Sequence, residues 1–184
     1  LGNSSLVADD ASGDGVDFTI NASGAIITDV MGLNFESNDG AMDIEINSLS
    51  NDVTLDSVIM IDADAGVDAD NDVASSLVVD ADGAATVTAL GLDAANDSSV
   101  SVTGGTTVTV GAITNAAGQS VDITLTATAN DVTSGDLTAA GGDILVDAGG
   151  QIAGAAAMAT TGTGTVSLGA DGAIIAGAIS TAEG

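Results

Sequence analysis

The segment Asp143-Ile-Leu-Val-Asp-Ala-Gly-Gly150 contains the pattern that decides the fold of this chain. Its alternating apolar run, Ile144-Leu-Val146, leads into the turn-like tetrapeptide Asp147-Ala-Gly-Gly150, and a second apolar run follows at Gln151-Ile152. The same order of run, turn and run recurs at three other places. The turns there are Asn21-Ala-Ser-Gly24, Asp80-Ala-Asp-Gly83 and Gly169-Ala-Asp-Gly172. One turn recurring after the same kind of run indicates an internal repeat.

Seven apolar segments share this organisation, and the last inward apolar residue of each measures the repeat length. These residues are Ile20, Ile46, Val79, Val102, Leu125, Val146 and Leu168. Subtracting neighbours gives spacings of 26, 33, 23, 23, 21 and 22 residues, of which the last four are nearly constant. Such a period is typical of solenoids. The alternation of apolar and polar residues predicts that each unit contains a strand, a glycine turn, a second strand, a bend and a short third strand.

We therefore predict an all-β fold, a parallel β-helix (β-solenoid) of about seven coils, in which equivalent strands stack about 4.8 Å apart. The absence of proline agrees with strands that have hydrogen-bonded neighbours on both sides. Glycines at the corners are expected to supply the positive φ angles of tight turns. The alternative is an antiparallel β-sandwich, which also uses seven or more short strands.

The predicted organisation has an N-terminal lead-in over residues 1–15, solenoid repeats over residues 16–181 and a tail or continuation at residues 182–184. The 33-residue spacing, against about 22 elsewhere, predicts an acidic loop inserted at residues 62–72. Neither end resembles a capping helix or a charged, bulged edge strand, the devices that block edge-to-edge pairing. We therefore expect the solenoid ends to continue in a longer chain or to stack on other copies.

The charge of the chain is entirely of one sign. It has 27 Asp and Glu residues and no Lys, Arg or His, which gives a formal net charge of −27. Dissolved cations, a coordinated metal or a basic partner must therefore offset the self-repulsion. This charge excludes nucleic acid as a partner. The longest apolar stretches are far shorter than the roughly 20 residues that a membrane-spanning helix needs, so we expect no membrane span.

The residue types that most catalytic sites use are missing. Without His, Lys or Cys, the chain cannot build a nucleophilic triad or most zinc, copper and haem sites. A pair of carboxylates, as in glycoside hydrolases, remains chemically available. However, the chain has no Trp or Tyr to hold a sugar. We therefore predict that the protein is not an enzyme.

Oxygen ligands for a hard cation are the remaining option, and calcium suits them best. Five carboxylates fall within eleven residues of the predicted loop, and alternate residues of an extended loop point the same way. They are Asp62, Asp64, Asp68, Asp70 and Asp72. Asp10 and Asp14, in Asp10-Ala-Ser-Gly-Asp-Gly15, match the first half of a calcium loop, although Asn21 replaces its final Glu. The alternatives are a solvated acidic loop and a plain turn.

Thr86-Val-Thr88 and Thr107-Val-Thr109 fall in equivalent second strands and could form outward threonine ladders, as on solenoid ice-binding proteins. The flanking units, Val53-Thr-Leu55 and Val132-Thr-Ser134, are expected to interrupt that array.

The turns and strands also support a resemblance to known proteins. Gly24–Ile27, Gly172–Ile175 and residues 143–150, with the richness in Thr, Ser, Ala and Asp over roughly residues 15–181, resemble bacterial β-strand-repeat surface proteins, the filamentous-haemagglutinin-like and autotransporter adhesins. The resemblance implies a right-handed parallel β-helix in a secreted or surface-attached structural or adhesive protein. It implies no catalytic residue.

From these observations we predict an extracellular structural protein, a repeat segment or subunit of a fibre, surface layer or adhesin stalk. Its expected partner is itself, end to end or laterally. The alternative is a calcium-dependent adhesive module that binds a glycan or another cell-surface partner.

Overall fold

The computed structural model describes residues 6–10, 15–28, 32–37, 41–62, 74–93, 98–115 and 120–182. These residues form twenty β-strands and contain no helix. All the strand pairs among them are parallel. The predicted parallel β-solenoid is therefore confirmed, and the alternative of an antiparallel sandwich is wrong.

In chain order the strands are β1 (Leu6–Asp10), β2 (Val16–Ala22), β3 (Ile26–Ile27), β4 (Leu33–Ser37), β5 (Met42–Ser48), β6 (Val53–Leu55), β7 (Val58–Asp62), β8 (Ser76–Ala81), β9 (Ala85–Val87), β10 (Leu90–Asp93), β11 (Ser98–Gly104), β12 (Val108–Val110), β13 (Ile113–Asn115), β14 (Val121–Ala127), β15 (Val132–Ser134), β16 (Leu137–Ala140), β17 (Ile144–Ala148), β18 (Ile152–Thr161), β19 (Val166–Ala170) and β20 (Ile174–Ala182).

Three strands make one coil. The first strand of each coil belongs to a seven-stranded sheet in the order β2-β5-β8-β11-β14-β17-β19. The chain therefore makes six complete turns between β2 and β19 and begins a seventh. The second and third strands stack as two further ladders, and β18 and β20 are long enough to take part in both. The coil number agrees with the prediction of about seven.

The register of the first-strand sheet matches the repeat read from the sequence. The seven inward residues, from Ile20 to Leu168, pair with one another in a single continuous column. Ile46 pairs with Val79 across the longest spacing, so the extra residues of this repeat do not shift the register. Residues 63–73, between β7 and β8, lie outside the described residues.

The core is a stack of aliphatic layers enclosed by the three ladders. Ile44, Leu77, Leu125 and their neighbours are fully buried, and none of the acidic residues whose side chains the structure describes is buried with them. Four of the described serines are buried and interrupt the apolar columns, and two of them, Ser75 and Ser98, accept hydrogen bonds from backbone amides. The Met42 amide donates a hydrogen bond to Ser75 Oγ at 3.0 Å, and the Ser75 amide donates one to Ser98 Oγ at 3.2 Å. These hydroxyl oxygens accept hydrogen bonds from backbone amides at the positions where first strands begin.

The predicted lead-in of residues 1–15 includes strand β1, which pairs residue by residue with β4. The third-strand ladder therefore extends one strand beyond β2 and β3. At the other end, β20 reaches Ala182, the first residue of the predicted tail or continuation.

The expected positive φ angles occur at some corner glycines, such as Gly141 and Gly162, but not at those of the recurring turn tetrapeptides. Gly83, Gly150 and Gly172 do not adopt positive φ angles. A Cβ atom at Gly83 would overlap the Asp52 side chain, and one at Gly172 would lie 2.8 Å from the carbonyl oxygen of Gly150. These glycines are needed because successive coils approach closely there. Gly24, in the first coil, has open space at the same place.

We predict that Gly111→Ala destabilises the fold by about 2 kcal/mol or more, because its Cβ would overlap the carbonyl oxygen of Thr88 in the preceding coil. Gly91→Ala is the matched control, since a Cβ at that strand position meets no atom within 4 Å. The measurement is thermal or denaturant unfolding followed by circular dichroism. Equal stability of the two variants would contradict the close approach at Gly111.

Candidate functional site

The outward residues of the first-strand sheet form a surface that we call the acidic face. Its carboxylates are exposed. They are Asp17, Asp43, Glu45, Asp80, Asp122 and Asp147. Because the strands are parallel and in register, an acidic residue can stack directly on another about 4.8 Å away, as Asp17 does on Asp43. The arrangement concentrates negative charge on one side of the solenoid.

On this face, hydroxyl and amide groups rather than cationic side chains donate hydrogen bonds to the carboxylates. Ser76 donates its hydroxyl hydrogen to Asp43 Oδ1 at 2.7 Å. The Asn47 amide donates to Glu45 Oε1 at 2.7 Å and to Asn21 Oδ1 at 2.9 Å. Asp17, Asp43 and Glu45 line a shallow depression of about 300 Å³. Even so, within the described ranges no three acidic side chains converge closely enough to hold a metal ion.

Three further carboxylates act as structural acceptors between coils. Asp52 Oδ1 accepts the Ala84 amide at 2.8 Å, Asp131 Oδ1 accepts the Gln151 amide at 2.9 Å, and Asp143 Oδ1 accepts the Thr165 amide at 2.7 Å. Each bond joins a corner of one coil to the equivalent corner of the next. Part of the negative charge therefore has a defined role in holding the coils together.

The first residues of the two predicted calcium segments lie at the same edge of the solenoid. Asp10 ends β1, Ser37 ends β4 and Asp62 ends β7, and these three residues occupy one register column. We call this edge, where β1, β4 and β7 end, the acidic corner. Asp10 and Asp62 are two coils apart, or about 10 Å along the axis. Asp14, Asp64, Asp68, Asp70 and Asp72 lie outside the described residues.

The second strands carry a longer threonine array than the sequence led us to expect. Thr54, Thr86, Thr109 and Thr133 pair in one outward column, so the expectation that flanking units interrupt the array is wrong. Thr88 and Thr107 lie just outside their strands. We call the complete column of seven residues the threonine column. From the first coil to the last it is Ile27, Thr54, Thr86, Thr109, Thr133, Ala153 and Ile175.

The threonine column contains no charged residue, and its two end residues, Ile27 and Ile175, are each 60% exposed. The middle outward positions of the described third strands are also uncharged. They are Asn34, Ile59, Gly91, Thr114, Thr138, Ala159 and Ser180. The column two residues further along the third strands differs, because Asp9, Glu36 and Asp93 occupy it together with Ile61. The threonine column is therefore uncharged along its whole length, whereas the third-strand ladder is uncharged only at its middle positions.

In the described part of the chain, apolar side chains at both ends of the core are exposed or only partly buried. Ile174 is 47% exposed, whereas Ile152, its partner in the preceding coil, is fully buried. Ile179 is 50% exposed and its partner Met158 is 1% exposed. At the opposite end Phe18 is only partly buried, and its ring lies 5.2 Å from that of the buried Phe35. Apolar residues that an additional coil would cover thus face solvent.

Comparison of this chain with protein-family models, curated proteins and solved structures finds no match. Nor does the described part of the chain contain a helix long and apolar enough to cross a bilayer.

We predict that Asp131→Ala lowers the free energy of unfolding by about 1 kcal/mol, because it removes the acceptor of the Gln151 amide. Asp131→Asn keeps an acceptor oxygen and should lose less. Asp147→Ala is the charge-matched control, since it removes one negative charge from an exposed side chain. If Asp147→Ala and Asp131→Ala change the unfolding midpoint equally, the carboxylate has no structural role between coils.

Proposed function

We propose that this chain is a repeat segment or subunit of an extracellular structural protein, such as a fibre, a surface layer or an adhesin stalk. The observation that carries the proposal is the open apolar core at both ends of the solenoid. Further coils of the same kind, in a longer chain or in another copy, would bury Ile174 and Ile179 at one end and Phe18 at the other. Burial of one such side chain is worth roughly 1.5–3 kcal/mol.

The function would be mechanical. Parallel ladders run along the solenoid axis, so each added coil extends three sets of hydrogen bonds in the direction in which a fibre is loaded. The acidic face would keep neighbouring rods apart, since dense charge of one sign opposes close contact. The extracellular location is supported by the resemblance to bacterial surface proteins, and a non-catalytic role by the absence of His, Lys, Arg and Cys.

We expect the purified chain, at physiological or higher ionic strength, to form fibrils longer than one subunit in electron micrographs. Ile174→Asp should abolish them by placing a carboxylate on the open end of the core. Thr138→Asp, which adds the same charge on the side of the solenoid, is the control and should leave fibril length unchanged. Discrete particles of single-subunit size at all ionic strengths would contradict end-to-end association.

A calcium-dependent adhesive module is the second candidate function. It is favoured by the register column that brings Asp10 and Asp62 to the same edge of the solenoid. Calcium takes six to eight oxygen ligands. Ions held at this corner would offset repulsion between the two acidic segments, which begin two coils apart. An ordered corner could then bind a glycan or a protein on a cell surface.

We predict that millimolar calcium raises the melting temperature by about 5–10 °C, as expected for a ligand present at roughly 100 times its Kd. Magnesium at the same concentration, with ionic strength held constant, should give a smaller rise. Replacing both Asp62 and Asp64 by Asn should remove the calcium effect, whereas replacing both Asp122 and Asp147 by Asn should retain it. A melting temperature equal in calcium and in chelator would rule out the site and leave only screening of charge.

A further inference from the structure

The order of residue types along the threonine column is nearly the same when it is read from either end. Isoleucine occupies both ends and threonine the centre, and the one mismatch is that Ala153 corresponds to Thr54. Thr109 is the middle of the seven residues, three coils from Ile27 and three from Ile175. A surface with this symmetry can contact a copy of itself turned end for end, as a two-fold interface requires.

The charge of a partner molecule determines whether it can bind along the threonine column. A cationic partner would be drawn to the acidic face, where the carboxylates lie. A second copy also carries a formal charge of −27, so it can approach only where both surfaces are uncharged. A second copy has the same axial repeat of about 4.8 Å, so facing side chains would interdigitate along the whole column. The threonine column therefore fits another copy of this chain better than it fits a basic partner.

The residues just before the second strands decide the relative direction of the two copies. In coil order they are Ala25, Asp52, Ala84, Thr107, Asp131, Gln151 and Ala173. With the copies antiparallel, Asp52 faces the amide side chain of Gln151 and Asp131 faces Ala84. If the copies were parallel, the residue before each second strand would face the residue after the second strand of the other copy. Asp52 of each copy would then face Asp56 of the other, which gives two like-charge pairs. The antiparallel arrangement thus avoids every carboxylate pair in this contact.

We propose that two copies of this chain pack antiparallel through the threonine column, about a two-fold axis that passes beside Thr109. The lateral contact is independent of the proposed axial function, because it leaves both ends of the solenoid free. Ile27 of each copy lies next to Ile175 of the other, which covers two apolar residues that are each 60% exposed.

The contact is weak for a chain of this length. Six strand spacings give a column of about 29 Å, and a strip roughly 10 Å wide buries on the order of 300 Å² per copy. Stable complexes bury about 800 Å² per partner. Repulsion between the two charged rods falls as salt shortens the Debye length to about 3 Å at 1 M. The dimer should therefore form at high protein concentration and high ionic strength.

Cross-linking through single cysteines tests the contact, since the chain has no Cys of its own. Thr109→Cys places one thiol beside the two-fold axis of each copy. A bifunctional maleimide chosen to span the roughly 10 Å between facing sheets should then link two copies. Ser99→Cys, exposed on the acidic face of the same coil, is the control. We expect Thr109→Cys to cross-link at least about tenfold faster than Ser99→Cys in high salt, because pairing raises the local thiol concentration. Equal rates would overturn the proposal.

A second pair of variants tests the direction. Thr54→Cys should not cross-link to itself, because the two thiols of an antiparallel pair lie about 19 Å apart along the axis. A mixture of Thr54→Cys with Ala153→Cys should cross-link. Self-linking of Thr54→Cys would show parallel packing and overturn the antiparallel arrangement. Circular dichroism of each variant confirms that the fold is retained.

A third measurement needs no cross-linker. Thr109→Asp places two carboxylates at the axis, so sedimentation in high salt should show loss of the dimer, whereas Ser99→Asp should leave it intact. Equal sedimentation of the two variants would also contradict the proposed face. Fibril length, which depends on the solenoid ends, should be the same for both variants, so this result is distinct from failure of axial association.

Discussion

The in-register parallel ladder between successive coils is the interaction on which the rest of this structure depends. It places the same position of every coil in one column, so each residue is constrained by the residue one coil above and one coil below. Leu125 is buried between Val102 and Val146, and the long insertion after Asp62 is tolerated because Ile46 still pairs with Val79. Corner glycines follow from the same constraint, since neighbouring backbones approach too closely there for a Cβ atom.

The ladder also determines how a chain with a formal charge of −27 and no cation can stay compact. A column of aspartates would repeat the same repulsion every 4.8 Å or so. Half of the acidic residues of the acidic face avoid this, because uncharged residues occupy the paired positions of both neighbouring coils. They are Glu45, Asp80 and Asp147. Where acidic residues do follow one another, donors are present. Ser76 bonds to Asp43, and Thr165 donates both its amide and its hydroxyl hydrogen to Asp143. Local hydrogen bonds thus stabilise some of these carboxylates, as salt bridges do in other proteins.

The sequence predicts the fold well because the inward residues carry the period and the inward columns are almost entirely aliphatic. It predicts the outward columns less well. Val53-Thr-Leu55 and Val132-Thr-Ser134 look unlike each other, yet their differing third residues, Leu55 and Ser134, both point inward, and only the shared threonine faces solvent. The glycine corners are equally hard to predict, since their contacts lie one coil away in space and about twenty or more residues away in sequence. The spacing of the candidate calcium ligands does not by itself show that Asp10 and Asp62 lie on one edge. That relation follows only from the strand register.

Axial and lateral association differ in how they depend on the length of the solenoid. Contact through the open ends buries the same few core residues and adds the same three ladders whether the rod has seven coils or many more. Contact through the threonine column grows with every coil, because each coil adds one outward residue and about 4.8 Å of length. A lateral contact on the order of 300 Å² per copy for seven coils would approach the 800 Å² of a stable interface only when the rod is two to three times as long. Growth along the axis would therefore strengthen side-by-side pairing of rods, although the lateral contact itself does not require it.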